Sequence, residues 1–181
     1  MCRRMRHNVA MSTTTAAPAP NRLRDILGLS GWCASTIAAS ALGARAASSA
    51  SEFYAQLAQP AWAPPAWVFG PVWSILFAMM ATAVWLVWRS GGFATNRTAL
   101  LAYLVQLGLN VLWSWLFFGW QLGGPAFAEV LLLWAAILTT LILFWRIKPL
   151  AGFLLAPYLA WGSFASVLNF VLWRSNPTLL S

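Results

Sequence analysis

Five apolar stretches dominate this sequence, over residues 25–46, 66–88, 98–118, 126–145 and 150–173. Each is close to the length a bilayer demands, since a helix needs about 20 residues to cross the hydrocarbon core. Hydrophobic residues make up 61% of the chain and charged residues only 8%. A soluble domain is about a quarter charged. One of this size buries only about 70% of the surface its unfolded chain exposes, so water is the wrong solvent for this composition. No alternating strand pattern appears, and no segment is left over for a soluble domain. The expected fold is all-α, an integral membrane bundle of five transmembrane helices over residues 25–178.

Residues 1–24 have a different character. They are rich in Arg, Ser, Thr, Ala and Pro and contain no acid. They read as a disordered N-terminal tail; a transit peptide, or a start at Met11, are the alternative readings. The longest connection, 47–65, reads as a loop stiffened by Pro60, Pro64 and Pro65 and carrying Tyr54 and Trp62. Long connections are commonly functional. Gly123, Gly124 and Pro125 form a turn, as do Arg146, Lys148 and Pro149. Pro157 falls inside the fifth span.

The chain carries eleven basic residues against three acids. They cluster at span ends and in the tail, so no basic patch lies on a soluble face and a nucleic-acid partner is excluded. With five spans, the tail arginines (3, 4, 6, 22, 24), Arg89, Arg97, Arg146 and Lys148 share one side. Only Arg45 and Arg174 lie on the other. The positive-inside rule then puts the N-terminus inside and the C-terminus outside.

Thirteen tryptophans stand out. Trp67, Trp85, Trp88, Trp120, Trp145 and Trp173 lie near span ends and fit an interfacial belt. Trp73, Trp113 and Trp161 lie deeper and share helix faces with other notable residues. Phe69, Trp73 and Phe77 repeat every four residues on the second span. Tyr103, Gln106, Asn110, Trp113 and Phe117 follow helical spacing on the third, and Trp161, Ala165 and Asn169 on the fifth. Amides are costly in hydrocarbon unless paired, so Gln106, Asn110 and Asn169 should face inward. Facing stripes of this kind would line an aromatic cavity with a few hydrogen-bonding groups, a recipe for a flat apolar ligand. Aromatic core packing with interhelical amide bonds is the alternative. On the first span Ser35, Ala39 and Gly43 form a small-residue ladder suited to close helix packing.

Ordinary catalytic and metal constellations are missing. The single histidine is His7 in the tail, which removes a membrane-embedded axial His for haem. Cys2 and Cys33 suit neither a disulfide nor a metal site. No catalytic residue, metal or required cofactor is expected. Glu129 is the one carboxylate well inside a span.

Three segments carry a family resemblance. Residues 59–80, QPAWAPPAWVFGPVWSILFAMM, resemble the Trp-x-Pro-Pro-x-Trp-x-Phe signature of the TspO/MBR family, the translocator or tryptophan-rich sensory proteins, also called peripheral benzodiazepine receptors. Residues 106–119, QLGLNVLWSWLFFG, resemble its Gln-x-x-x-Asn-x-x-Trp-x-x-x-Phe-Phe-Gly segment. Residues 156–176, APYLAWGSFASVLNFVLWRSN, resemble its Pro-Tyr-x-x-Trp and Leu-Asn-Phe/Tyr segments.

The resemblance implies five spanning helices, a homodimer, and a pocket for porphyrin, haem and other lipophilic ligands. The implied ligand-binding residues are Tyr54, Pro64, Trp73, Phe77, Asn110, Trp113, Trp161 and Ala165. Tyr54 and Pro64 belong to a lid. Trp73 and Trp161 would face a tetrapyrrole and match the positions of a light-dependent protoporphyrin conversion in bacterial members. The implied role is a membrane receptor or sensor in porphyrin homeostasis, with transport or light-driven degradation as alternatives. A bacterial membrane is favoured over a mitochondrial outer membrane. Phe170 replaces the tyrosine of the cholesterol motif of animal members, which argues against sterol binding.

Overall fold

The computed structural model describes residues 22–180. The expected tail lies outside the described residues up to residue 21. Seven helices follow: α1 (Arg22–Ala46), α2 (Ala50–Gln56), α3 (Phe69–Arg89), α4 (Gly92–Thr95), α5 (Arg97–Ser114), α6 (Gly123–Ile147) and α7 (Pro149–Ser175). A 3-10 turn at Ala66–Val68 leads into α3, and a π turn at Trp115–Gly119 continues α5. Five of these units are long and apolar enough to span a membrane, within one or two residues of most expected bounds. Among the described residues there is no strand. The chain is an integral, multi-pass membrane protein.

Short turns make sequential helices antiparallel neighbours. α6 and α7 pack along their length. Gly152 sits so near Trp145 that an added Cβ would lie 2.7 Å from the indole Cβ, and Trp134 Nε1 donates to Ser163 Oγ at 2.8 Å. One end of the bundle gathers the start of α1, the α3–α5 connection and the α6–α7 turn. There Arg89 pairs with Asp25 at 3.2 Å, and Trp85 Nε1 donates to the Asp25 carbonyl at 3.3 Å. Leu86, Arg89, Ser90 and Lys148 border one shallow depression. Among the described residues Arg22, Arg89, Arg97, Arg146 and Lys148 lie at this end, and Arg45 and Arg174 at the other.

Connection 47–65 departs from a plain loop, since Ala50–Gln56 is helical. Its Ala, Glu and Gln favour helix, and Glu52 in the first turn suits the helix N-terminus. The first tryptophan group also divides. Trp67, Trp120 and Trp145 are exposed, as a belt requires. Trp85, Trp88 and Trp173 instead pack between helices. Gly28 admits Trp88 and Gly123 admits Trp173, each so closely that a Cβ would overlap the indole.

Candidate functional site

The residues of the α5 stripe all turn inward. Tyr103, Gln106, Asn110, Trp113 and Phe117 are buried. Tyr103, Asn110 and Trp113 form interhelical hydrogen bonds. Tyr103 and Thr36 share a hydrogen bond at 2.7 Å between α5 and α1. Asn110 Nδ2 donates to Tyr158 Oη at 2.9 Å, and Trp113 Nε1 donates to Asn169 Oδ1 at 3.1 Å, both tying α5 to α7. Asn169 Nδ2 donates onward to the Gly123 carbonyl at 3.2 Å. Two of the three amides are therefore paired across helices. Gln106 is buried, and neither atom of its amide has a hydrogen-bond partner; the same holds for both carboxyl oxygens of Glu129.

Between α1, α3, α5 and α7 lies a cavity of about 510 Å³, roofed by α2. Of the eight residues expected in the site, Tyr54, Trp73, Phe77, Asn110, Trp113, Trp161 and Ala165 line it. Pro64 does not; it lies behind Tyr54, whose hydroxyl donates to the Pro64 carbonyl at 3.1 Å. Burial pushes the Tyr54 phenol above its ordinary range, so it stays protonated and able to donate.

The walls are aromatic and mutually braced. Tyr54 meets Phe69 edge-on at 5.4 Å, and Phe69 meets Trp161 at 5.9 Å. Trp73 lies 5.4 Å from Phe77 and 6.0 Å from Tyr158. Trp113 stacks on Phe117 at 5.5 Å with 11° between planes. Edge-to-face and offset pairs at these spacings fix ring orientation. No charged side chain lines the cavity. Among the described residues no group of three His, Cys, Asp or Glu could hold a metal.

Sequence reasoning missed several parts. Phe69 was placed on the right stripe but not in the site. The π turn, closed by Trp120 N to the Trp115 carbonyl at 2.7 Å, brings Phe117 and Phe118 to the cavity wall. Such bulges are frequent at functional sites and leave no periodic signal. Asn176 latches the lid. Its Oδ1 accepts from Ala58 N at 2.7 Å, and its Nδ2 donates to the Ala58 carbonyl at 3.2 Å and the Leu172 carbonyl at 2.8 Å. A gap of 118 residues hides that contact from any local pattern.

A bundle of five spanning helices, four of which enclose a roofed, uncharged aromatic cavity, defines a small multi-pass membrane protein of receptor-like build. The sequence profile of the TspO/MBR family matches residues 32–174, and the chain belongs to that family. It is 43% identical over 129 residues to the tryptophan-rich protein TspO of Chlorobaculum tepidum, covering 71% of this chain and 82% of the relative. The human translocator protein is 42% identical over 126 residues, covering 68% and 75% respectively. The tryptophan-rich sensory protein of Cereibacter sphaeroides is 37% identical over 125 residues, covering 69% and 77%.

Proposed function

We propose that the protein is a membrane receptor that holds a flat tetrapyrrole, protoporphyrin in particular, in the aromatic cavity and serves porphyrin homeostasis. The observation carrying this reading is the cavity wall itself: Trp73, Phe77, Trp113 and Trp161 surround an uncharged space of about 510 Å³. Aromatic faces favour a planar conjugated ring over a flexible chain of the same volume. The lining holds no His, Cys or Met, and its only phenol already donates to Pro64. Iron would find no free axial ligand there, which favours the metal-free porphyrin over haem.

Titration of the purified protein in nanodiscs tests this. Protoporphyrin should quench tryptophan fluorescence saturably. Ala165→Trp, which fills the cavity, should weaken binding by tenfold or more. Equal affinity in parent and variant would rule out this pocket. Trp73 and Trp161 share the wall, so light-driven porphyrin oxidation, with molecular oxygen as oxidant, would use the same site. A Trp73→Phe/Trp161→Phe double variant that degrades porphyrin under light as fast as the parent would eliminate that second reading. A homodimer belongs to the same proposal and is read by light scattering.

A further inference from the structure

The cavity has a side opening. α1 and α3 touch tightly near the start of α1, where a Cβ on Gly28 would lie 1.9 Å from Trp88 Nε1 and Asp25 pairs with Arg89. Towards its other end α1 leans on α5 instead. Thr36 bonds to Tyr103, and a Cβ on Gly43 would lie 3.2 Å from Ser114 Oγ. Along this half, no hydrogen bond or ring contact joins α1 to α3 among the described residues. Both facing edges are small: Ser40 and Ala44 on α1, Ala47 just past its end, and Gly70 and Ser74 on α3. All five line the cavity, and Ala44, Gly70 and Ser74 are exposed. A Cβ on Gly70 would meet nothing within 4 Å. Exposed small residues along a seam where two helices lining one cavity make no bond to each other mark the edge of a hole.

Ser40, Ala44, Gly70 and Ser74 fall within the first two segments long and apolar enough to span a membrane. Ser40 precedes the end of α1 by six residues and Ser74 follows the start of α3 by five, so both sit about 7–9 Å below the helix ends. Facing small residues ordinarily let helices close together. Here α1 packs on α3 at the Trp88 end and is gripped by α5 along its other half, where it parts from α3. The lid end, by contrast, is latched by Asn176 to Ala58 and braced internally by Tyr54 to Pro64.

We infer that the slot between Ser40–Ala44 of α1 and Gly70–Ser74 of α3 is a lateral doorway, through which a lipophilic ligand passes between the bilayer and the cavity. An apolar ligand using it never enters water, so it escapes the cost of exposing apolar surface there. The inference rests on the ligand-binding reading of the cavity, but its test does not need porphyrin. A cysteine is placed inside by Ala165→Cys, with Cys2→Ser and Cys33→Ser, in proteoliposomes. It is labelled with a lipophilic maleimide added through the lipid, or with a charged, membrane-impermeant one. The lipophilic reagent should react at least tenfold faster. Adding Ser74→Trp, or Ala44→Trp from the opposite edge, should slow it tenfold or more while Tm stays near that of the parent. Unchanged labelling in both plugged variants, or equal rates for the two reagents, would overturn the doorway. A protein that passes this test yet fails to quench with protoporphyrin keeps its doorway and loses only the proposed ligand.

Discussion

Tyr54 shows how one side chain joins lid to cavity. Its ring lines the pocket, and its hydroxyl holds the Pro64 carbonyl. Tyr54→Phe keeps the ring and removes the donor, so it should loosen the folded lid segment by about 1 kcal/mol. Hydrogen exchange across residues 57–65 reads that change as faster exchange. Burial raises the phenol pKa in the folded protein, so the neutral form is favoured by folding. The lid contribution is therefore complete below the unfolded value near 10 and declines as pH rises past it. Tyr54→Phe should abolish that alkaline loss of protection. Glu129 poses the opposite case. It is only 5% exposed, and its oxygens have no hydrogen-bond partner. An unsatisfied buried polar group costs about 1–3 kcal/mol, and apolar replacement of such groups is often stabilising. Glu129→Leu should leave Tm unchanged or raise it in a detergent melt; a fall of several degrees would assign Glu129 a partner or a role beyond packing.

At the scale of elements, the lid is a composite. Helix α2 and the turn into α3 are separate in sequence from α7, yet Asn176 clamps Ala58 through donor and acceptor together. Asn176→Ala removes both bonds and a third to Leu172, so lid opening should become easier by about 2 kcal/mol. The effect is expected in exchange rates of 57–65, with the amides of α6 unchanged. The spans themselves were legible because length and hydropathy decide them. Helix α2 was not, because seven residues between a span and a proline cluster give no period to read. The π turn was equally silent, since one extra residue in a helix leaves composition untouched.

For the molecule as a whole, charge placement and geometry agree. Arg89, Arg97, Arg146 and Lys148 gather at the end where α1 starts, while the lid and Asn176 occupy the opposite end. The positive-inside rule places the lid end away from the cytoplasm. A cysteine placed in the lid at Ser51 should then react with an impermeant reagent added outside intact cells, and one at Ser90 should not. The reverse pattern would invert the orientation. The bundle also separates two tasks. The half bearing Gly28, Trp88, Asp25 and Arg89 packs α1 on α3 and closes the protein. The other half leaves room for the cavity and its opening.

Bilayer thickness and the cost of unpaired polar groups in hydrocarbon act on local stretches. The sequence by itself therefore determined the five spans and the inward turn of Gln106, Asn110 and Asn169. Helical spacing also put Trp73, Phe77, Asn110, Trp113, Trp161 and Ala165 on faces that line one cavity, whereas Tyr54 was reached only through the family resemblance. Relations between distant segments were decided only by the tertiary structure. Trp88 fits against Gly28 across 60 residues of chain, as does Trp85 against Asp25. Pro64 serves the site through Tyr54 rather than at its wall. The amides of Asn110 and Asn169 found partners where Gln106 did not, although all three obey the same period. Close packing fixes each of these, because whether two side chains touch depends on how helices lean on one another, and no spacing along one helix records that.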